Sequence, residues 1–183
     1  PDRISPKLVA AMLGRPDARQ WVCSGIPPGK EADHLDALRR IAIKLIEDRD
    51  FTYANGAVRR LVKTGNRAAL LECETAALRL TGLEKAGHPE IGWMAHLLFA
   101  LHADDPAGGW KAINTKYAAQ NPERLKIYYA QEFLMAGEKR GVVETWKLAA
   151  SESSTSAALP WDFLFTRGDD LRSSTPQFAM ART

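Results

Sequence analysis

Apolar residues recur at intervals of three and four along most of this chain, and that spacing constrains its fold more than any other feature. The pattern starts at Leu35, Leu38 and Leu45 and continues, with short interruptions, to about residue 150. Such spacing places apolar side chains on one face of an α-helix. No segment alternates apolar and polar residues for long enough to indicate a β-strand. The sequence therefore predicts an all-α protein.

Glycine, proline and asparagine divide the periodic pattern into separate helices. Gly65 suits a left-handed helix end, and Asn121 followed by Pro122 suits an N-cap and the first helical position. The helices predicted between these breaks cover residues 35–45, 54–62, 67–81, 89–103, 110–119, 122–136 and 142–150. Shorter helices are predicted over residues 5–13 and 160–168.

The 183 residues are enough for one globular domain or a short array of stacked repeats. We expect an irregular N-terminal segment over residues 1–30, a single α-helical domain over 31–170 and a loose C-terminal tail over 171–183. Helices joined by short turns form antiparallel hairpins. We expect these hairpins to be stacked as a short array or gathered in a compact helical bundle.

One stretch, residues 121–150, resembles a tetratricopeptide-type (TPR-like) helical hairpin. The residues that carry the resemblance are large or small at the positions where the motif needs them: Leu125, Tyr129, Ala130, Phe133, Gly137, Trp146 and Ala149. Val142 departs from the motif, which usually has alanine there. Residues spaced 34 and 30 apart, Phe99, Phe133 and Phe163, indicate a repeat of similar period.

The resemblance implies a binding scaffold, because stacked hairpins present one helix of each pair on a shared surface. The function that we expect from this resemblance is that of a non-enzymatic protein-interaction or adaptor module. Such a module would be a component of a larger assembly and would have a protein or peptide as its partner. The candidate partner-binding residues lie on the sixth predicted helix, away from its apolar face: Lys126, Tyr128 and Gln131. An ordinary solvated helix surface is the alternative for these positions.

Six basic residues on the first two strong helices support a second hypothesis. The net charge is only +3, from 25 basic and 22 acidic residues. Residues four apart share a helix face, so these side chains are candidates for a patch that binds an anionic partner: Arg39, Arg40, Lys44, Arg59, Arg60 and Lys63. The partner would be nucleic acid or an acidic protein surface. Ordinary solvation of the two helix faces is again the alternative.

No motif in the sequence indicates an enzyme, a cofactor or a metal. His96 and His102 are six residues apart, whereas two ligands on one helix face are usually three or four apart. The segment 25–30 resembles a phosphate-binding loop, but it is one residue short and contains two prolines. We therefore expect no metal site and no cofactor.

The two cysteines, Cys23 and Cys73, have no metal-binding spacing, and we interpret them as free thiols of a cytoplasmic protein. One disulfide in an exported protein is the alternative. No apolar run approaches the roughly 20 residues that a membrane-spanning helix needs, so no membrane span is predicted.

Overall fold

The structure of the chain is a computed structural model that describes residues 7, 8, 11, 14 and 15 and the continuous stretch 26–152. Within residues 26–152 the secondary structure is helical and contains no strand, which confirms the predicted all-α class for this part. Seven α-helices follow a single 3-10 turn (Ala32–His34): α1 (Leu35–Glu47), α2 (Phe51–Lys63), α3 (Arg67–Leu78), α4 (His88–His102), α5 (Pro106–Thr115), α6 (Pro122–Ala136) and α7 (Lys139–Ser151).

Several predictions lie wholly or partly outside the described residues. These are the helix over 160–168 with Phe163 of the repeat, the tail over 171–183, the end of the predicted domain at residue 170, Cys23, and most of the N-terminal segment 1–30. Of the predicted helix over 5–13, only residues 7, 8 and 11 are described, and all three are helical.

Side-chain caps fix the starts of three helices. Asn66 accepts a hydrogen bond from the Ala69 amide at 3.0 Å, and Asp105 accepts one from the Gly108 amide at 2.9 Å. Asn121 accepts one from the Arg124 amide, as its place before Pro122 predicted. These bonds satisfy amides that the first helical turn leaves without a partner.

The fifth helix is displaced from its predicted position. The sequence predicted residues 110–119, but α5 runs from Pro106 to Thr115. Asp105 caps the helix and Pro106 occupies its first position, so the helix starts four residues before the predicted start. The prediction depended on the apolar residue Trp110 and gave too little weight to this capping pair.

Helix α4 is the centre of the described fold. It packs against α2, α3, α5 and α6. A helix with neighbours on most sides should be apolar nearly all round, and the buried residues of α4 do lie on every side: Ile91, Gly92, Trp93, Met94, Ala95, His96, Leu97, Leu98 and Leu101.

The helices pack with neighbours that are one or two positions away in the chain. Helices α2, α4 and α6 lie side by side, because α4 packs against both of the others. Among the remaining helices, α1 packs against α3 and α5 packs against α7. We call the first group the α2/α4/α6 layer.

Two glycines allow the last helices to approach one another closely. A Cβ added to Gly141 would lie 1.9 Å from Phe133 Cδ1, and one added to Gly109 would lie 2.0 Å from Tyr129 Oη. Phe133 and Tyr129 are fully buried. Gly141 and Gly109 are therefore two positions at which a larger side chain would not fit between the helices.

Candidate functional site

The three candidate partner-binding residues on α6 differ in exposure. We expected them away from the core, but Lys126 and Tyr128 are both buried, at 6% and 7% exposure. The ring of Tyr128 meets His88 of α4 edge-on, with centroids 5.0 Å apart. Gln131 is half-buried and keeps part of its surface open. The expectation of an open position is therefore wrong for Lys126 and Tyr128.

Lys126 is buried because a carboxylate from the end of α7 meets it. Its Nζ lies 2.6 Å from Glu152 Oε2 and 5.7 Å from the centre of the Trp110 ring. Glu152 also accepts hydrogen bonds of 2.8 Å from Trp110 Nε1 and Asn114 Nδ2. Burial acts to raise the pKa of Glu152, but these bonds outweigh it and the pKa is lowered. This cluster joins α5, α6 and α7, which is a structural role.

The six basic residues do not form one continuous patch. Arg39 is paired with Glu72 at 2.5 Å and with Asp36 at 2.7 Å, and Lys44 is paired with Asp48 at 2.6 Å. Carboxylates therefore already neutralise both side chains locally.

Arg60 is turned toward the loop before α1. It donates to the carbonyls of Ile26 and Pro27, and its Nη2 lies 3.4 Å from Glu31 Oε1. Among the described residues, Arg40 and Lys63 form no ion pair, and Lys63 is exposed. Only part of the predicted patch is thus available to an anionic partner.

Arg59 belongs to a different arrangement, a chain of three polar side chains across the α2/α4/α6 layer. Its Nε donates to His96 Nε2 on α4 at 2.7 Å. The other imidazole nitrogen, His96 Nδ1, lies 2.5 Å from Glu132 Oε2 on α6. We call these three residues the Arg59–His96–Glu132 relay. Each of the three helices in the layer contributes one member.

The donors and acceptors of the relay fix the state of the imidazole. An arginine nitrogen can only donate, so His96 Nε2 must accept and carry no proton. The imidazole proton is then on Nδ1, where it points to the Glu132 carboxylate. His96 is 8% exposed, and a buried polar group of this kind needs such partners.

The relay leaves His96 without a free nitrogen. A general base or a metal ligand needs an open lone pair on the imidazole, and Arg59 occupies the one that His96 has. No group of three or more histidine, cysteine or acidic side chains in the described part of the chain is placed to hold a metal ion.

Arg59, in contrast, remains partly available. Its side chain is exposed, and the hydrogen bond to His96 uses only Nε. Within the described residues, the two terminal nitrogens have no hydrogen-bond partner. These nitrogens form the flat fork with which arginine binds carboxylates and phosphates.

A second group of titratable side chains lies where α3 meets the end of α5. Glu74 is 5% exposed, and its Oε1 lies 3.3 Å from Tyr117 Oη and 3.4 Å from Lys116 Nζ. Burial, followed by the nearby Glu74 charge, raises the pKa of Tyr117 well above its usual range. Tyr117 therefore stays neutral and donates to Glu74, and the group ties α3 to the segment after α5.

Cys73, next to Glu74, is free and fully buried. Burial raises the pKa of this thiol to about 12. A thiol in this state is a poor nucleophile and a poor metal ligand at neutral pH.

Sequence reasoning missed the Arg59–His96–Glu132 relay. It treated Arg59 as part of a basic patch, His96 as a rejected metal ligand, and gave Glu132 no role. One signal was available: His96 stands in the most apolar of the described helices, and a buried polar residue needs partners. The identity of those partners depends on how three helices pack.

Comparisons with protein-family models, with curated proteins and with solved structures found no match to this chain. The TPR-like resemblance of residues 121–150 therefore stays a prediction. Among the described residues, no helix has both the length and the apolar character needed to cross a membrane.

Proposed function

We propose that this protein is a non-enzymatic protein-interaction module that binds its partner on the exposed side of the α2/α4/α6 layer. The observation that carries the proposal is the side-by-side packing of these three helices with a fixed polar relay across them. Helices α2 and α6 flank the buried α4 in this layer, and their exposed residues form the surface that a partner segment would contact, as in stacked helical repeats.

The exposed side of this layer includes the accessible residues that share a helix face with Arg59 on α2 or with Gln131 on α6. We call it the outer face, and its members beside Arg59 and Gln131 are Gly56, Lys63, Arg124 and Met135. Met135 is 59% exposed and is the large apolar side chain among these members. An apolar residue beside fixed polar groups is a common composition for a protein-binding surface.

The state of the polar groups favours binding over catalysis. Both nitrogens of His96 are engaged, the Cys73 thiol is protonated and buried, and Glu74 is bonded to Tyr117. General acid–base catalysis needs a group that can take up or release a proton beside a substrate. Recognition by Arg59 and Gln131 needs no such step.

Two matched charge reversals test the proposal. Lys63 on α2 and Lys111 on α5 are both exposed lysines, but only Lys63 lies on the outer face. In affinity purification from the native host with nuclease treatment, we expect K63E to lose the specific partner that K111E retains. Loss of the partner with K111E but not with K63E would contradict the proposed surface.

Nucleic-acid binding is the competing function, and the exposed cations Arg59 and Lys63 favour it. The ion pairs of Arg39 and Lys44 weaken it, because they reduce the charge that a phosphate backbone would meet. If it holds, DNA or RNA should bind at low salt, and the double variant R59A/K63A should bind less. Absence of affinity at low salt would exclude it.

A further inference from the structure

We propose that the segment recognised by the outer face is acidic, and that Arg59 binds a side-chain carboxylate of that segment while His96 and Glu132 hold Arg59 in position. This inference rests on the proposed function and names the chemistry of its partner. His96 and Glu132 are positioning residues here, since neither offers a free group to the partner.

The first argument is that only one nitrogen of the Arg59 side chain, Nε, is used in a contact within the described part of the protein. Nε is bonded inward to His96, while the terminal nitrogens of an exposed guanidinium have no partner among the described residues. A guanidinium edge with two parallel N–H groups fits the two oxygens of a carboxylate. The outward edge of the Arg59 guanidinium is therefore suited to binding a planar anion such as a carboxylate.

The second argument is that the guanidinium is held before any partner arrives. The His96 and Glu132 side chains are only 10% and 15% exposed, so the chain behind Arg59 is anchored in the protein. A free surface arginine loses rotamer entropy when it is fixed by a ligand. Arg59 has already lost part of that freedom on folding, and binding of an anion costs correspondingly less.

The third argument is charge complementarity around Arg59. Lys63 lies one helical turn from Arg59, and Arg124 is exposed on α6; within the described residues neither has a carboxylate partner. Two carboxylates lie near these cations and both have other partners: Glu132 contacts His96, and Glu90, near Arg124, accepts from the Gly87 amide. The outer face thus has a surplus of positive charge that suits a short run of Asp and Glu residues.

The same arrangement fits an acidic peptide better than a nucleic acid. Binding of a phosphate backbone relies on many cations along its path, and single strands also need aromatic platforms for the bases. The outer face offers three cations, Arg59, Lys63 and Arg124, and its large apolar member is Met135 rather than an aromatic ring.

The test uses the full chain and a fluorescein-labelled hexaglutamate peptide, with hexaglutamine and a hexathymidylate oligonucleotide as comparison probes. Measured by fluorescence anisotropy at low salt, hexaglutamate should bind saturably and hexaglutamine should not. We expect R59A to weaken hexaglutamate binding by about tenfold or more, because it removes a charge-assisted bidentate contact. R59K should also be weaker than wild type, since lysine lacks the fork.

The positioning role has its own readout. H96Q keeps an acceptor for Arg59 and a donor for Glu132, whereas H96L keeps neither. Hexaglutamate affinity should be retained in H96Q and lowered in H96L. If circular dichroism shows that H96L does not fold, the test uses the NMR signal of Arg59 Nε–H in the wild-type protein instead. This signal should be present before the peptide is added and should shift as the peptide is titrated.

Three outcomes would overturn the inference: no saturable hexaglutamate binding, equal binding by R59A and wild type, or tighter Arg59-dependent binding of the oligonucleotide. K111A is the matched control and should bind as wild type does. If a partner is lost in K63E but retained in R59A, the proposed function stands and this inference fails. Loss of the partner in neither variant would count against both.

Discussion

At the scale of single residues, His96 and Lys126 are buried polar groups that are held by specific partners. His96 is flanked by an arginine on one nitrogen and a carboxylate on the other, and Lys126 meets Glu152. An unpartnered ion in the interior would be strongly destabilising. Each of these contacts joins different helices, so the polar residues also set how the helices are placed relative to one another.

His102 gives a prediction about pH. Burial lowers the pKa of this histidine, against the opposing effect of Glu74 and Asp105. The unfolded chain therefore takes up a proton at a pH where the folded chain does not, so protonation favours unfolding. His102 makes its full contribution to stability above the ordinary imidazole pKa of about 6.5. This contribution is lost as the pH falls from there through the lower pKa that His102 has in the folded protein.

Urea denaturation at pH 7.5 and at pH 5.5 measures this effect. We expect the wild type to lose stability on acidification, and H102N to lose less of it than the wild type does. An equal loss in both proteins would show that other groups, and not His102, cause the acid sensitivity.

At the scale of helices, the sequence predicted which helices exist better than where each one starts. The periodic apolar pattern and the pair Asn121–Pro122 placed α6 correctly, because both signals are local. Helix α5 was misplaced because Asp105 and Pro106 read equally well as a turn. The small residues at the close contacts, Gly109 and Gly141, do not stand out in the sequence, since only the packed neighbours show that a Cβ would not fit.

Two glycine-to-alanine changes test the helix contacts with a matched pair. Both glycines are helical, and alanine favours a helix by about 1 kcal/mol over glycine. At exposed Gly56 an added Cβ has no neighbour within 4 Å, so G56A should stabilise the protein by roughly 0.5–1 kcal/mol. At Gly141 the added Cβ would overlap the Phe133 ring, and overpacking of a core costs roughly 1–3 kcal/mol.

The free energy of unfolding from urea titrations should therefore rise in G56A and fall in G141A. If G141A is as stable as the wild type, then α6 and α7 are not as closely packed at this point as the structure indicates.

At the scale of the whole molecule, the fold class follows from the sequence but the candidate site does not. An all-α class needs only the period of the apolar residues. The relay needs three residues that are 37 and 36 positions apart in the chain to meet in one layer. The apolar period and the residue spacing do not show that these three side chains are in contact. Arg59 was therefore assigned to a basic patch, although most other members of that patch are paired with carboxylates or loop carbonyls.

The outer face and the exposed surface of α5 belong to different parts of the fold. The outer face carries Arg59, Lys63 and Gln131, whereas Lys111 is exposed on α5, which is not part of the α2/α4/α6 layer. If the outer face is the interaction surface, contact with a partner should be confined to it.

Site-specific photo-crosslinking measures this most directly. A photo-reactive amino acid is placed at position 131 on α6 or, separately, at position 111 on α5, and each protein is irradiated in its native host. We expect a discrete adduct with one partner from position 131 and none from position 111. An adduct formed only from position 111 would contradict the assignment of the α2/α4/α6 layer as the binding surface.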